Sequence, residues 1–199
     1  MTRTGRSAAN PPARDIARVV VMREQISARV SRLAAEVARR YEGRELTILA
    51  VLTGSLIFLA DLIRELPLVM RIDLVSVSSY PGAATASRGP ELRGGFPSEL
   101  AGKSVLIVDD ILDSGRTLAD LVRRVRAAGA ADVRSCVLLR KHRPDLPDRP
   151  APDFFGFDIA DEFVVGYGLD YNHLYRNLPE ICVLADHALA AGREEGGAG

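Results

Sequence analysis

Three acids and a short polar turn carry the clearest chemistry in the chain. Asp109 and Asp110 follow directly on the apolar run Val105–Val108, and Asp113, Ser114, Gly115, Arg116 and Thr117 come next. Adjacent carboxylates accept hydrogen bonds from vicinal hydroxyls. A turn that opens a helix offers unpaired backbone N–H groups, and the Ser114 and Thr117 hydroxyls, with a glycine that permits close approach, complete an anion cradle. A ribose 5-phosphate satisfies both halves. Taken singly, Asp113-Ser-Gly reads as a helix N-cap and Asp109-Asp110 as a polar loop. Behind a strand that is apolar on both faces they read as a site, because open α/β sheets bind ligands beyond the carboxyl ends of their strands. A metal cluster of the phosphoryl-transfer kind would need a lysine and further acids at other strand ends, and these are not evident.

The elements that must hold this segment alternate along the chain. A short strand is expected at Val19–Met22 and a helix over 23–41, where Ile26, Val30, Leu33 and Val37 fall on one face and Gly43 supplies a stop. Thr47–Leu52 is a strand-length apolar run, Gly54 opens a second helix ended by Pro67, and Val69–Ser79 is the next strand. From Tyr80 to Gly102 the chain turns to Gly, Pro, Ala, Ser and Arg, the composition of a lid or binding loop. After Val105–Val108 a helix carries Leu118, Leu121, Val122 and Val125 and ends at Gly129. Strands follow at Val133–Leu139, Phe154–Phe157, Phe163–Val165 and Ile181–Leu184, with a proline-rich loop over 141–152. The pattern predicts an α/β domain with a mostly parallel central sheet flanked by helices. It spans 16–190, with a lid near 80–102, a small hood built from the C-terminal segment 141–184, and disordered tails at 1–15 and 191–199.

Composition excludes other classes. The chain has 199 residues, 47% apolar and 26% charged, which fits one globular domain. With 26 basic and 26 acidic side chains the formal net charge is zero, so nothing calls for nucleic acid as a partner. Cys136 and Cys182 sit inside apolar runs without metal-ligand spacing and read as buried thiols in a reducing compartment. His142, His173 and His187 also lack ligand spacing. No apolar run approaches the roughly 20 residues of a membrane helix, and the first residues have no secretory pattern. The expectation is a soluble cytoplasmic protein.

The segment from Val105 to Leu118 resembles the phosphoribosyl-pyrophosphate (PRPP) motif of type I phosphoribosyltransferases. Further matches point to their hypoxanthine-guanine branch: Ser78-Ser79-Tyr80 at the head of the lid, Val51-Leu-Thr53-Gly54-Ser55, and above all Phe157-Asp-Ile-Ala-Asp-Glu-Phe163-Val164-Val-Gly-Tyr-Gly-Leu-Asp170-Tyr171 with Tyr175-Arg176-Asn-Leu-Pro179. Similarity extends from Val19 to Leu184.

The resemblance implies a Mg²⁺-dependent purine salvage transferase in which N9 of hypoxanthine or guanine displaces pyrophosphate from C1 of PRPP. It implies that Asp113 is the catalytic base, that Asp109 and Asp110 hold the ribose hydroxyls, and that Ser114, Gly115, Arg116 and Thr117 cradle the 5-phosphate. Thr53, Gly54 and Arg176 belong with pyrophosphate, although Thr53 stands where some members carry lysine. Lys141, Phe163, Val164 and Asp170 recognise the purine, Ser79 and Tyr80 belong to the lid, and Asp170, Asp109 and Asp110 lie near the metal. Asp109 replaces a frequent glutamate. A homodimer or homotetramer is implied as well. Two rivals are an RNA-binding, PRPP-sensing regulator, which would show a basic stripe and lack the base-recognition segment, and a relative acting on xanthine.

Overall fold

The computed structural model describes residues 13–78, 91–93, 95, 96 and 99–195. Its centre is a six-stranded sheet in the order β4-β3-β2-β5-β6-β7, built from β2 (Leu46–Leu52), β3 (Met70–Ser78), β4 (Glu91–Arg93), β5 (Ser104–Leu112), β6 (Asp132–Lys141) and β7 (Phe154–Ile159). All neighbours run parallel except edge strand β4, which pairs antiparallel to β3. Three helices cover the sheet: α1 (Arg23–Arg40), α2 (Leu56–Glu65) and α3 (Arg116–Ala127).

Burial on both faces explains the continuous apolar runs. Ile48, Ala50, Leu106 and Val108 pack toward α1 and α2, whereas the alternate residues Leu49, Val51, Val105 and Ile107 pack toward α3. Helix α1 buries Ile26, Val30, Leu33 and Val37, each worth roughly 1.5–3 kcal/mol of transfer free energy. It is also tied to β7 by Arg29, which donates to the Gly156 (3.0 Å) and Phe155 (2.6 Å) carbonyls.

The chain leaves β2 toward β3 through α2, then resumes at β5 on the other side of β2 and continues to β6 through α3. The strand order therefore reverses between β2 and β5. Crevices at the carboxyl ends of such strands are where open α/β sheets take ligands.

A second, two-stranded antiparallel sheet joins β1 (Ile16–Val21) to β8 (Ile181–Leu184). The hood thus takes a strand from each end of the chain and is not made from the C-terminal segment alone. No strand forms over Phe163–Val165; only Val165 bridges to Cys182, because the chain turns immediately afterwards through left-handed Gly166, Tyr167 and Gly168. The first strand ends at Val21, leaving Met22 to cap α1. Both tail boundaries also move. Ala13–Asp15 form a 3-10 turn whose Asp15 carbonyl accepts from Ala185 (2.8 Å), and a fourth helix, α4 (Asp186–Glu195), runs past position 191. Ser79, Tyr80 and most of the lid lie outside the described residues.

Candidate active site

The acidic pair is delivered by β5. Its ladder with β6 continues past Val108 to Leu112, so Asp109 and Asp110 belong to a strand rather than to a loop. Asp109 is 9% exposed. The Asp110 amide donates to its carboxylate (3.0 Å), and the Ile111 amide donates to the Asp110 carboxylate (2.7 Å). Burial, reinforced by the adjacent Asp110, raises the Asp109 carboxyl well above the usual carboxylate range. Burial raises Asp110 too, against hydrogen bonds and the Arg176 guanidinium, which act to lower it. Two buried carboxylates this close disfavour a shared double charge, and hydroxyl donors or a cation would relieve them.

Opposite the pair, the turn after β2 places Gly54 against Asp110. A Cβ on Gly54 would stand 1.6 Å from Asp110 Oδ2. The Leu52–Thr53 peptide is cis. Thr53 is exposed, while Ser55 is buried and donates from its hydroxyl to the Val51 carbonyl.

Beyond the pair, Gly115 adopts φ +77° and caps α3, with Arg116 and Thr117 in the first turn. Val51, Gly54, Asp109, Asp113, Ser114 and Thr117 help to line a cavity of about 300 Å³. Larger clefts lie between α3 and β6 and between α1 and α2, of about 590 and 650 Å³. Neither lies at the tips of β2 and β5.

Asp113 and Lys141 meet directly. Lys141 Nζ donates to Asp113 (3.1 Å) and to Asp161 (3.2 Å), and Arg143 reaches both acids as well. Lys141 is mostly covered, its side chain 12% exposed, so it is not a solvent-facing charge. Arg143 and Asp161 are therefore part of the site's frame. Asp161 lies inside the Phe157–Tyr171 match without being singled out there, and Arg143 sits in a loop without periodicity.

The hood closes the other side. Phe163 is 49% exposed, and its ring meets the Tyr171 ring in a T-shaped contact with centroids 5.5 Å apart. Val164 is buried beside it. Gly168, at φ +102°, lies so close that a Cβ would be 2.1 Å from the Gly54 carbonyl oxygen. Arg176 donates to the Gly168 carbonyl (2.7 Å) and pairs with Asp170 (2.8 Å), whose other oxygen accepts the His173 amide (2.9 Å). Non-glycine residues in the left-handed region, Tyr167, Asn172, His173 and Tyr175, are concentrated in this stretch. Backbone conformations of this cost gather at ligand clamps and active sites.

The structure thus brings Asp109, Asp110, Gly54, Ser114 and Thr117 around one cavity and pairs Asp113 with Lys141. It does not gather Asp170, Asp109 and Asp110 into one metal cage: among the described residues no group of three such ligands forms.

The chain is similar to known proteins along most of its length. The family model for the phosphoribosyl transferase domain matches residues 22–172. A hypoxanthine-guanine phosphoribosyltransferase of Bacillus subtilis is 39% identical over 85% of this chain and 94% of its own length. A crystal structure of a Staphylococcus aureus hypoxanthine phosphoribosyltransferase, 34% identical, superposes with a TM-score of 0.80 over 87% of this chain and 94% of that one. A hypoxanthine-guanine-xanthine phosphoribosyltransferase, 29% identical, gives 0.78 over 86% and 99%. A doubly covered parallel sheet, an acid-tipped middle strand running into a glycine-capped helix, and relatives matched along nearly their whole length lead to one conclusion: the chain belongs to the phosphoribosyltransferase family, among the hypoxanthine-guanine phosphoribosyltransferases.

Proposed function

We propose that the protein joins N9 of hypoxanthine or guanine to C1 of PRPP, forming IMP or GMP and releasing pyrophosphate. The observation that carries this reading is the Asp113–Lys141 pair beside the cavity at the tips of β2 and β5. On a 6-oxopurine, the C6 oxygen and N7 lie side by side on one edge. A lysine donor next to a carboxylate acceptor matches an oxygen acceptor next to an N7–H donor. Adenine presents an amino group where Lys141 needs an acceptor, and a site built around a buried polar partner rejects such an analogue strongly.

In the reaction the N9–C1 bond forms as the bond from C1 to pyrophosphate oxygen breaks. The N7 proton passes to Asp113 as N9 takes on its substituent, a contribution of about 10²–10⁴-fold. Asp109 and Asp110 accept from the ribose hydroxyls. The Ser114–Thr117 turn, with the Arg116 amide, holds the 5-phosphate at the start of α3. Gly54, with Thr53 and Arg176, faces pyrophosphate. The half-exposed Phe163 ring stacks on the base, and the Val164 backbone meets its edge. Ser79 and Tyr80 belong to the lid that excludes water from C1.

The donors available suit Mg²⁺, which takes oxygen ligands and is often shared with substrate phosphates. Asp109, Asp110 and Asp170 do not form a metal group by themselves among the described residues, and would hold the ion only together with the substrate's own oxygens. When bound, the cation offsets charge on the departing pyrophosphate. The exposed apolar side chains Leu56, Ile57, Val69, Ile72 and Leu74 support a homodimer or homotetramer. None of the described helices is long and apolar enough to cross a membrane.

The test is to incubate the protein with PRPP, Mg²⁺ and, separately, hypoxanthine, guanine, xanthine and adenine. IMP and GMP should form, and excess chelator should stop both. Nucleotide from adenine alone, or from none of the four, overturns the reading.

A further inference from the structure

We propose that Arg149 is a positioning residue that sets the distance between Asp113 and Lys141 and thereby the purine's docking edge. This rests on the reaction proposed above. The β5–β6 ladder ends with the pair Leu112↔Arg140, one residue short of both Asp113 and Lys141. Beyond that rung the facing backbone groups that matter are two carbonyls. Two acceptors cannot bond each other, and a donor must stand between them. Arg149 supplies it. Its Nη1 donates to the Asp113 carbonyl (2.8 Å) and, more weakly, to that of Leu112 (3.4 Å), while Nη2 donates to the Lys141 carbonyl. One planar guanidinium thus continues the ladder by a side-chain rung, and its fixed fork holds the two carbonyls at a set spacing.

The surroundings make that rung consequential. The loop that carries Arg149 stands over a cleft of about 540 Å³ bordered by Leu112, Lys141, Arg143 and Pro147, so packing does not fill the space beneath it. Its passage close to the phosphate turn is also specified: a Cβ on Gly115 would stand 2.8 Å from Pro150 Cδ and 3.5 Å from Arg149 Cβ. Arg149 is half-buried and bonds main-chain oxygens, so it takes up no hydrogen-bonding position on either the Asp113 or the Lys141 side chain. Lys141 and Asp113 each start from a backbone that this one side chain holds.

Arg149→Met keeps the stem and removes the fork. It is expected to raise the KM for hypoxanthine about tenfold and to lower kcat about tenfold, since a misplacement of about 1 Å can cost 10²-fold. PRPP affinity, measured by calorimetry, should stay within about twofold. Arg149→Lys, which reaches one carbonyl at a time, should recover part of both losses. Parental hypoxanthine KM and kcat in Arg149→Met overturn the proposal, as does an equal loss of hypoxanthine and PRPP binding, which would mean that the whole cradle has moved. If Arg149→Met does not fold, Arg149→Lys decides: a hypoxanthine KM raised about threefold with PRPP unchanged supports the role, and parental values refute it. A parent protein that makes no nucleotide from hypoxanthine removes the underlying reaction; an active parent with an indifferent Arg149 removes only this residue's part.

Discussion

The tip of β5 and the hood build the two sides of the site by opposite means. At the tip, Asp109, Asp110, Asp113, Ser114 and Thr117 are near neighbours in sequence, and a strand followed by a helix places them almost without help. In the hood, Arg176 clamps Gly168 and Asp170, Tyr175 donates from its hydroxyl to Asp15 (3.1 Å), and Tyr171 to the Leu189 carbonyl (2.8 Å). A strand from the first residues of the domain pairs with one from the last. The tip is local and buried in a two-faced sheet, whereas the hood is long-range and held by polar ties and left-handed turns. In the proposed reaction most of the tip holds a sugar phosphate common to every substrate pair and can be rigid, while the hood meets the base and can rest on contacts that open separately.

Substitutions at the two regions should therefore fail differently. The largest effect is expected at the tip: Asp113→Asn should lower kcat about 10²–10⁴-fold while PRPP still binds, as steady-state assays and calorimetry would record. Near-normal turnover would take the base away from the tip. Gly54→Ala, at the seam of the two regions, forces a methyl onto Asp110 and should reduce kcat/KM for PRPP about 10²-fold; a neutral result would mean that the close Gly54–Asp110 approach is dispensable. Lys141→Ala should raise the KM for hypoxanthine about tenfold and leave that for PRPP nearly unchanged, and the reverse order would reassign the lysine.

The smallest effect concerns stability. Because folding raises the Asp109 carboxyl's affinity for its proton, its contribution to stability is fully present below the ordinary carboxylate range and is lost as pH rises through the raised folded value. Asp109→Asn should consequently raise the melting temperature of the ligand-free protein at neutral pH by about 2–4 °C while weakening PRPP binding. An unchanged or lower melting temperature across pH 5–8 would show that the buried pair carries no such strain.

Much of the fold could be read in advance because burial on both faces leaves a plain mark. Strands β2 and β5 appear as unbroken apolar runs, and α1 and α3 as stripes at helical spacing. What was misread has a physical cause in each case. Phe163–Val165 has strand composition, but the turn through Gly166–Gly168 ends the pairing after a single bridge. The hood's use of β1 was invisible because Ile16–Val21 is mostly uncovered on its outer side and its partner lies at the far end of the chain. Helix α4 begins at Asp186 with Ala188 buried but ends in a glycine- and glutamate-rich stretch that reads as a tail. The strongly charged 142–149 loop offered no period from which Arg149 could be chosen.

The sequence by itself determined the class of fold, the acid-tipped strand and the glycine-bearing turn that opens α3, since these depend on hydrophobic alternation and on local backbone geometry over a few consecutive residues. The tertiary structure alone decided that Asp113 meets Lys141, that Gly168 rests on Gly54, and that Arg149 bridges two strand ends. Those contacts join residues far apart in the chain, and close packing and hydrogen-bond satisfaction select them only once the sheet has formed.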